Sequence, residues 1–186
     1  MPSPFRPATE LLVQYARYHR DPRNITTHFI GIPMIVFAIG VLAARPVWAE
    51  LDTPLGTLAL SPALLLWLAS TLWYLTRGQF ALGLATSLVN GLLIALAAPL
   101  AAGSVGHWLG WGVGTFVVGW VFQFIGHYYE GRKPAFADDL VGLLVGPEFV
   151  VAEALFSTGL LGRLKQTIEE KAGPTRLRDL AAPTLG

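Results

Sequence analysis

Cysteine is absent from the 186-residue chain. Its absence excludes disulfides, thiolate metal sites and cysteine nucleophiles. Charge is scarce as well: 13% of residues are Asp, Glu, Lys or Arg, against about 25% in an ordinary soluble domain. The deficit is concentrated, because residues 24–44, 53–76 and 78–129 contain no Asp, Glu, Lys or Arg at all. Basic runs are missing and the net charge is +1, so no nucleic-acid partner is expected. The chain has no G-x-S-x-G, P-loop or Rossmann glycine pattern, which removes the common hydrolase and nucleotide-binding readings. Residues 1–23 are polar and lack the apolar centre of a signal peptide.

What is present is apolar: 53% of the residues are hydrophobic. A membrane span needs about 17–25 mostly apolar residues. The uncharged gaps predict four spans, over 25–44, 55–75, 80–101 and 108–129, with a turn at 102–106 in the longest gap. The fold class expected is therefore all-α, a single polytopic membrane helix bundle over 1–186. Residues 8–20 read as an amphipathic helix that can lie on the membrane surface, since Leu11, Leu12, Tyr15, Tyr18 and His19 share one side. Asn24 is placed to cap the first span. Residues 45–52 read as a short polar connection. Gly110, Gly112, Gly114 and Gly119 offer the fourth span a small-residue packing face.

After the fourth span, Pro147, Glu148 and Glu153 interrupt an apolar run over 140–162. Its uncharged pieces are too short to cross, so a broken, re-entrant or interfacial helix pair is expected. Residues 172–186 read as a loose tail. This topology puts twelve of the thirteen Lys and Arg on one face and only Arg45 on the other. By the positive-inside rule both termini are cytoplasmic.

The polar chemistry gathers at one depth. In GWVFQFIGHYYEGRKPAF, residues 119–136, an uncharged aromatic run ends in His127, Glu130, Arg132 and Lys133. His127 and Glu130 are three residues apart and share a helix face. The topology brings His19 and His28 to the same cytoplasmic end. Three histidines and a carboxylate suit a transition metal, and two histidines with one carboxylate is a non-haem iron arrangement. The plainer alternative has His28 at a helix end and His127 hydrogen-bonded within the bundle. Glu130 reads as an orienter of His127 first, then as a metal ligand or an ion-pair partner. Gln123, one turn before His127, either lines the site or bridges helices. Arg132 and Lys133 either hold an anionic head group or anchor the chain at the surface. His107 is twenty residues from His127, about 30 Å along a straight helix, and is excluded from the cluster.

These motifs resemble a known family. YHRDPRN (18–24), HFIGIP (28–33), GWVFQFIGHYYEGRKPA (119–135) and PEFVVAE (147–153) are similar to those of the membrane 2-hydroxy fatty acid dioxygenases of fatty acid alpha-oxidation. The resemblance covers most of the chain in the same motif order. It implies an Fe(II)-dependent oxygenase that uses O2 to shorten a 2-hydroxy long-chain fatty acid by one carbon. Carried over residue by residue, it implies His19, His28 and His127 as iron ligands. Beside that set, the reading of the residues themselves gives Glu130 as the candidate catalytic carboxylate and Arg132, Lys133 and Gln123 as the candidate substrate-binding groups. It implies a lipid bilayer as the setting, a bacterial inner membrane or the endoplasmic reticulum, and leaves an oligomer open. Two other classes stand beside it: a carrier relaying protons through its histidines, and a scaffold with a structural metal.

Overall fold

The computed structural model describes residues 5–54, 56–132 and 141–181. Seven α-helices and one β-hairpin run in the order α1 (Ala8–Ala16), α2 (Pro22–Ala43), β1 (Ala49–Thr53), β2 (Gly56–Leu60), α3 (Pro62–Leu75), α4 (Phe80–Ala97), α5 (Val105–Glu130), α6 (Gly142–Ser157) and α7 (Gly162–Ala172). A 3₁₀ turn, Ala98–Ala101, extends α4. Among the described residues, three helical stretches are long and apolar enough to cross a membrane: Pro22–Ala43, Phe80–Ala101 and Val105–Glu130.

The chain passes four times between the two ends of this bundle. The start of α4 lies beside α1, where the Ala8 amide donates to Arg77 O at 2.8 Å and Gln79 donates to the Thr9 hydroxyl. The far end of α4 meets the far end of α2 at Gly40 and Ala97. There the Trp108 indole at the start of α5 donates to Val41 O at 2.8 Å. So α2 and α4 run one way and α5 returns, which requires α3 to return as well. α3 has only 14 residues, about 21 Å of helix. The uncharged stretch read as one span over 55–75 is in fact a strand followed by this short helix. The polar connection is likewise a hairpin strand, paired from Ala49↔Leu60 to Thr53↔Gly56. Gly56, with φ of 120°, adopts a backbone that glycine alone takes easily at the tight turn.

The α2–α5 contact is organised by glycines two turns apart. A side chain at Gly112 would meet Leu42, one at Gly119 would meet Ile35, and one at Gly126 would meet Asn24 and Thr27. Seven-residue spacing keeps all three on one face of α5, and the missing side chains let the two backbones approach. Gly110 and Gly114, expected on that face, look into open space.

The densest core lies at one end of the bundle. Leu11, Leu12, Tyr15, Val145, Phe149, Phe156, Leu164 and Ile168 pack together from α1, α6 and α7. The helix expected over 8–20 stops earlier, at Ala16, and its apolar side chains face α6 and α7. α6 runs unbroken through Pro147. The break falls later, where Gly159 and Leu161 take positive φ values of 82° and 54° and α7 turns away by 116°. In the spans, by contrast, Leu72, Leu88, Leu92 and Val117 point outward and are more than half exposed. Apolar side chains facing out along long uncharged helices suit hydrocarbon as the surrounding solvent.

The tail is also ordered where it is described. The Arg176 amide donates to Arg20 O at 2.9 Å and the Arg178 amide to Asp21 Oδ2 at 2.8 Å. Arg23 returns a bond to Arg178 O at 2.9 Å. These bonds fasten residues 176–178 of the tail across the α1–α2 turn.

Candidate metal centre

The α1–α2 turn is built to present His19. The Tyr18 and His19 amides donate to Tyr15 O and Ala16 O, each at 3.0 Å. Asp21 then caps α2, its carboxylate accepting from the Arg23 amide at 2.8 Å. Asp21, rather than Asn24, is the N-cap, because Pro22 supplies a first helical residue that needs no donor. The His19 ring stacks on Tyr15 at 4.0 Å between centroids with a 4° interplanar angle, and Phe149 closes over it at 5.4 Å.

Three histidines meet here. His19 and His28 are fully buried and His127 is 6% exposed. Their ring centroids lie 4.5 to 5.1 Å apart. One potential ligand atom from each falls within 4.8 Å of the others. Hydrogen bonding settles the tautomers of two of them. His19 Nδ1 lies 2.7 Å from Tyr15 O, and His28 Nδ1 lies 2.9 Å from Asn24 O. A carbonyl oxygen only accepts, so both Nδ1 atoms carry hydrogen. In the neutral rings the bare lone pairs are then on the two Nε2 atoms, which face each other at 3.0 Å. Two lone pairs aimed at one point repel unless a cation lies between them. The spacing also fits: two nitrogens about 2.1 Å from one ion and at right angles are roughly 3 Å apart. Backbone carbonyls fixing the tautomer of ligating histidines are the usual outer layer of a metal site.

His19 is available as a ligand. Burial first, then the facing His28 and His127, hold its pKa well below the ordinary imidazole value. It is therefore neutral at pH 7.

Glu130 does not enter the cluster. It is the last residue of α5, which Gly131 ends in a left-handed conformation at φ 68°. Its Oε2 accepts from the Arg20 amide at 2.9 Å, the Asp21 amide at 2.9 Å and Asn24 Nδ2 at 3.0 Å. Its Oε1 accepts from the Arg20 amide at 3.0 Å. One carboxylate thus clamps the turn that carries His19 and the start of the helix that carries His28. The positive end of the α2 dipole favours a carboxylate at this position. Asn24 serves all three histidine-bearing elements: its carbonyl meets His28, and its amide donates to Tyr18 O at 3.0 Å as well as to Glu130.

Gln123 is 5% exposed and its Nε2 has no hydrogen-bond partner among the described residues. It lines an apolar cavity of about 240 Å³ that His127 also borders. Arg132 points elsewhere, donating to Arg17 O at 2.8 Å and lying over the Tyr18 ring. Lys133 lies outside the described residues. His107 is exposed at the far end of α5, in agreement with the helix-length argument. Glu153 pairs with Arg20 at 3.5 Å. Tyr15 and Phe149 shape the site from α1 and α6, and nothing in the sequence marks them as site residues. Their apolar helical spacing looks like ordinary core.

Gly126 gives a prediction. A methyl group there would overlap Asn24 Oδ1 and Thr27 Oγ1 and lie 3.1 Å from His28 Nδ1. Overpacking of this kind costs about 1–3 kcal/mol. Gly126→Ala is expected to lower the melting temperature and, by moving His28, to weaken metal binding about tenfold or more. Titrating the metal-free variant with Fe(II) checks this; unchanged affinity would show that the α2–α5 approach does not set the site.

A family model described as 2-hydroxy-palmitic acid dioxygenase Mpo1-like matches residues 5–158. The chain is 34% identical over 158 residues to the 2-hydroxy-palmitic acid dioxygenase MPO1 of Saccharomyces cerevisiae, covering 83% of each protein. No solved structure matches the chain.

Proposed function

The chain belongs to the Mpo1-like family, and on that premise we propose that it is an Fe(II)-dependent dioxygenase of 2-hydroxy long-chain fatty acids. It takes the 2-hydroxy acid and O2 to the acid one carbon shorter. The balance closes with CO2 and water: the hydroxylated carbon becomes the new carboxyl and the old carboxyl leaves as CO2. The substrate supplies all four electrons that O2 accepts, so no external reductant is needed.

The observation that carries this reading is the pair of facing Nε2 lone pairs with His127 beside them. Imidazole suits Fe(II), and His19, His28 and His127 are the residues that would hold it. Bound there, iron supplies the one-electron chemistry that O2 requires. The protein does the rest. Glu130 and Asn24 keep the ligands in place, and the cavity wall excludes water. Gln123, whose Nε2 has no partner among the described residues, offers an amide donor to the polar end of a substrate. The setting is a bilayer that stores the acyl chain, at the end of the bundle where Arg20, Arg23, Arg77 and Arg132 gather.

The test uses detergent-purified protein loaded with Fe(II) without air. About one iron per chain is expected, as one cluster of three ligands allows. O2 uptake should start on adding a 2-hydroxy long-chain acid and not its unhydroxylated analogue, and mass spectrometry should find the acid one carbon shorter. His107→Ala should behave as wild type. Iron bound without substrate-dependent O2 uptake would overturn the reaction. Solute flux without O2 uptake would favour the carrier.

A further inference from the structure

The cavity beside His127 has a direction. On α2 it is lined by Ile32, Ile35 and Ile39, and on α5 by Gln123, Trp120 and Phe116. Each set is spaced at three or four residues, so each is one stripe of its helix. α2 and α5 are antiparallel, and both stripes start at the histidines and lead away from them. Ile39 is eleven residues from His28, and Phe116 eleven from His127. Eleven residues of helix is about 16 Å.

The two ends of the cavity differ. At the metal end Ile32 is 7% exposed, and α6 closes the wall with Gly146 against Ile32 and Tyr15. The buried Gln123 Nε2 there lacks a partner among the described residues. An unpaired buried donor costs about 1–3 kcal/mol, and a ligand with an acceptor at that spot removes the cost. Gly31 makes the room, since any side chain there would strike the Gln123 amide. At the far end Ile39 is 39% exposed, on the lipid-facing side of the bundle. An apolar slot with a polar closed end and a lipid-facing open end fits one kind of ligand, a single acyl chain with a small polar head.

We propose that the α2–α5 slot holds the acyl tail of the substrate, which enters sideways from the bilayer. Gln123 donates to its carboxylate or hydroxyl, and Ile39 and Phe116 determine which chain lengths fit. This rests on the fatty-acid reading above and adds the residues that select among substrates.

The experiment measures kcat/KM over a series of 2-hydroxy acids from short to long. Ile39→Trp fills the far end and should lower the long-to-short ratio by about tenfold, the scale on which a pocket senses one methylene. Phe116→Ala opens it and should shift the ratio the other way. In parallel, a fatty acid with a photoreactive group near its tail is crosslinked to the iron-free protein. Label on the peptides carrying Ile35 to Ile39 and Phe116 to Trp120, displaced by a 2-hydroxy acid and not by an equal amount of phospholipid, is expected. Unchanged length profiles in both variants, with normal wild-type turnover, would overturn the slot. So would label on the outer faces of α3 and α4, or displacement by phospholipid. If wild type turns over no 2-hydroxy acid, the functional reading fails, and the crosslinking result still decides the slot by itself.

Discussion

Replacing His127 by alanine is expected to abolish substrate-dependent O2 uptake and to weaken Fe(II) binding by more than the ~100-fold that changes to outer-layer residues can cost. The fold should survive. The His127 ring bonds to the backbone of half-buried Arg132 just past the end of α5, so its removal strands no fully buried partner, and the space it leaves adjoins a cavity already present. His28→Ala should match it in iron loss, since the Asn24 carbonyl released by that ring also lies where α2 supplies its own backbone donor. His19→Ala is a poorer test, because the ring also stacks between Tyr15 and Phe149 and its loss disturbs packing. Circular dichroism confirms the fold, metal analysis reads the site and an oxygen electrode reads the reaction. Full iron retention in His127→Ala would remove it from the ligand set. Iron lost with turnover kept would remove iron from the reaction.

The second large effect is expected at Glu130, and here two substitutions separate two roles. Glu130→Ala strips acceptors from the buried Arg20 and Asp21 amides and from Asn24. Each stranded donor costs about 1–3 kcal/mol. The turn carrying His19 loses its anchor, so iron affinity should fall by about 10–100-fold along with stability. Glu130→Gln behaves differently if the residue only positions others. Three of the four bonds converge on Oε2 and one shared bond reaches Oε1. A glutamine oxygen at the Oε2 position keeps most of them, so the variant should retain much of the iron binding and turnover. A catalytic carboxylate predicts another pattern: Glu130→Gln would bind iron normally and still be as inactive as Glu130→Ala. Iron titrations beside kcat for both variants decide between them.

The uncharged gaps explain why the membrane character was legible in the chain: hydrocarbon does not tolerate unpaired charge, so long charge-free segments carry their own meaning. Equal legibility did not extend to the stretch over 53–76. It has the length and composition of a span, but Pro54 and Gly56 set a tight turn and Pro62 starts a helix only at its own position. Strand residues that are exposed on both faces leave no alternating pattern to read. The α5 glycines show the same limit. Four were expected on the packing face, yet only contact with α2 distinguishes Gly112, Gly119 and Gly126 from Gly110 and Gly114.

The sequence by itself determined the kind of molecule, the end of the bundle where three histidines gather, and the distance of His107 from them. Those follow from composition, from residue spacing along rigid helices and from motif order, all of which are properties of the chain in one dimension. The tertiary structure decided what depends on distant residues meeting. It aimed two Nε2 lone pairs at one point and turned Glu130 onto amides more than a hundred residues away. It left Gln123 Nε2 without a partner among the described residues, beside an apolar slot, and turned Arg132 onto the Arg17 carbonyl. A carboxylate three residues after a histidine can ligate, orient or pair, and only the donors it meets choose among these.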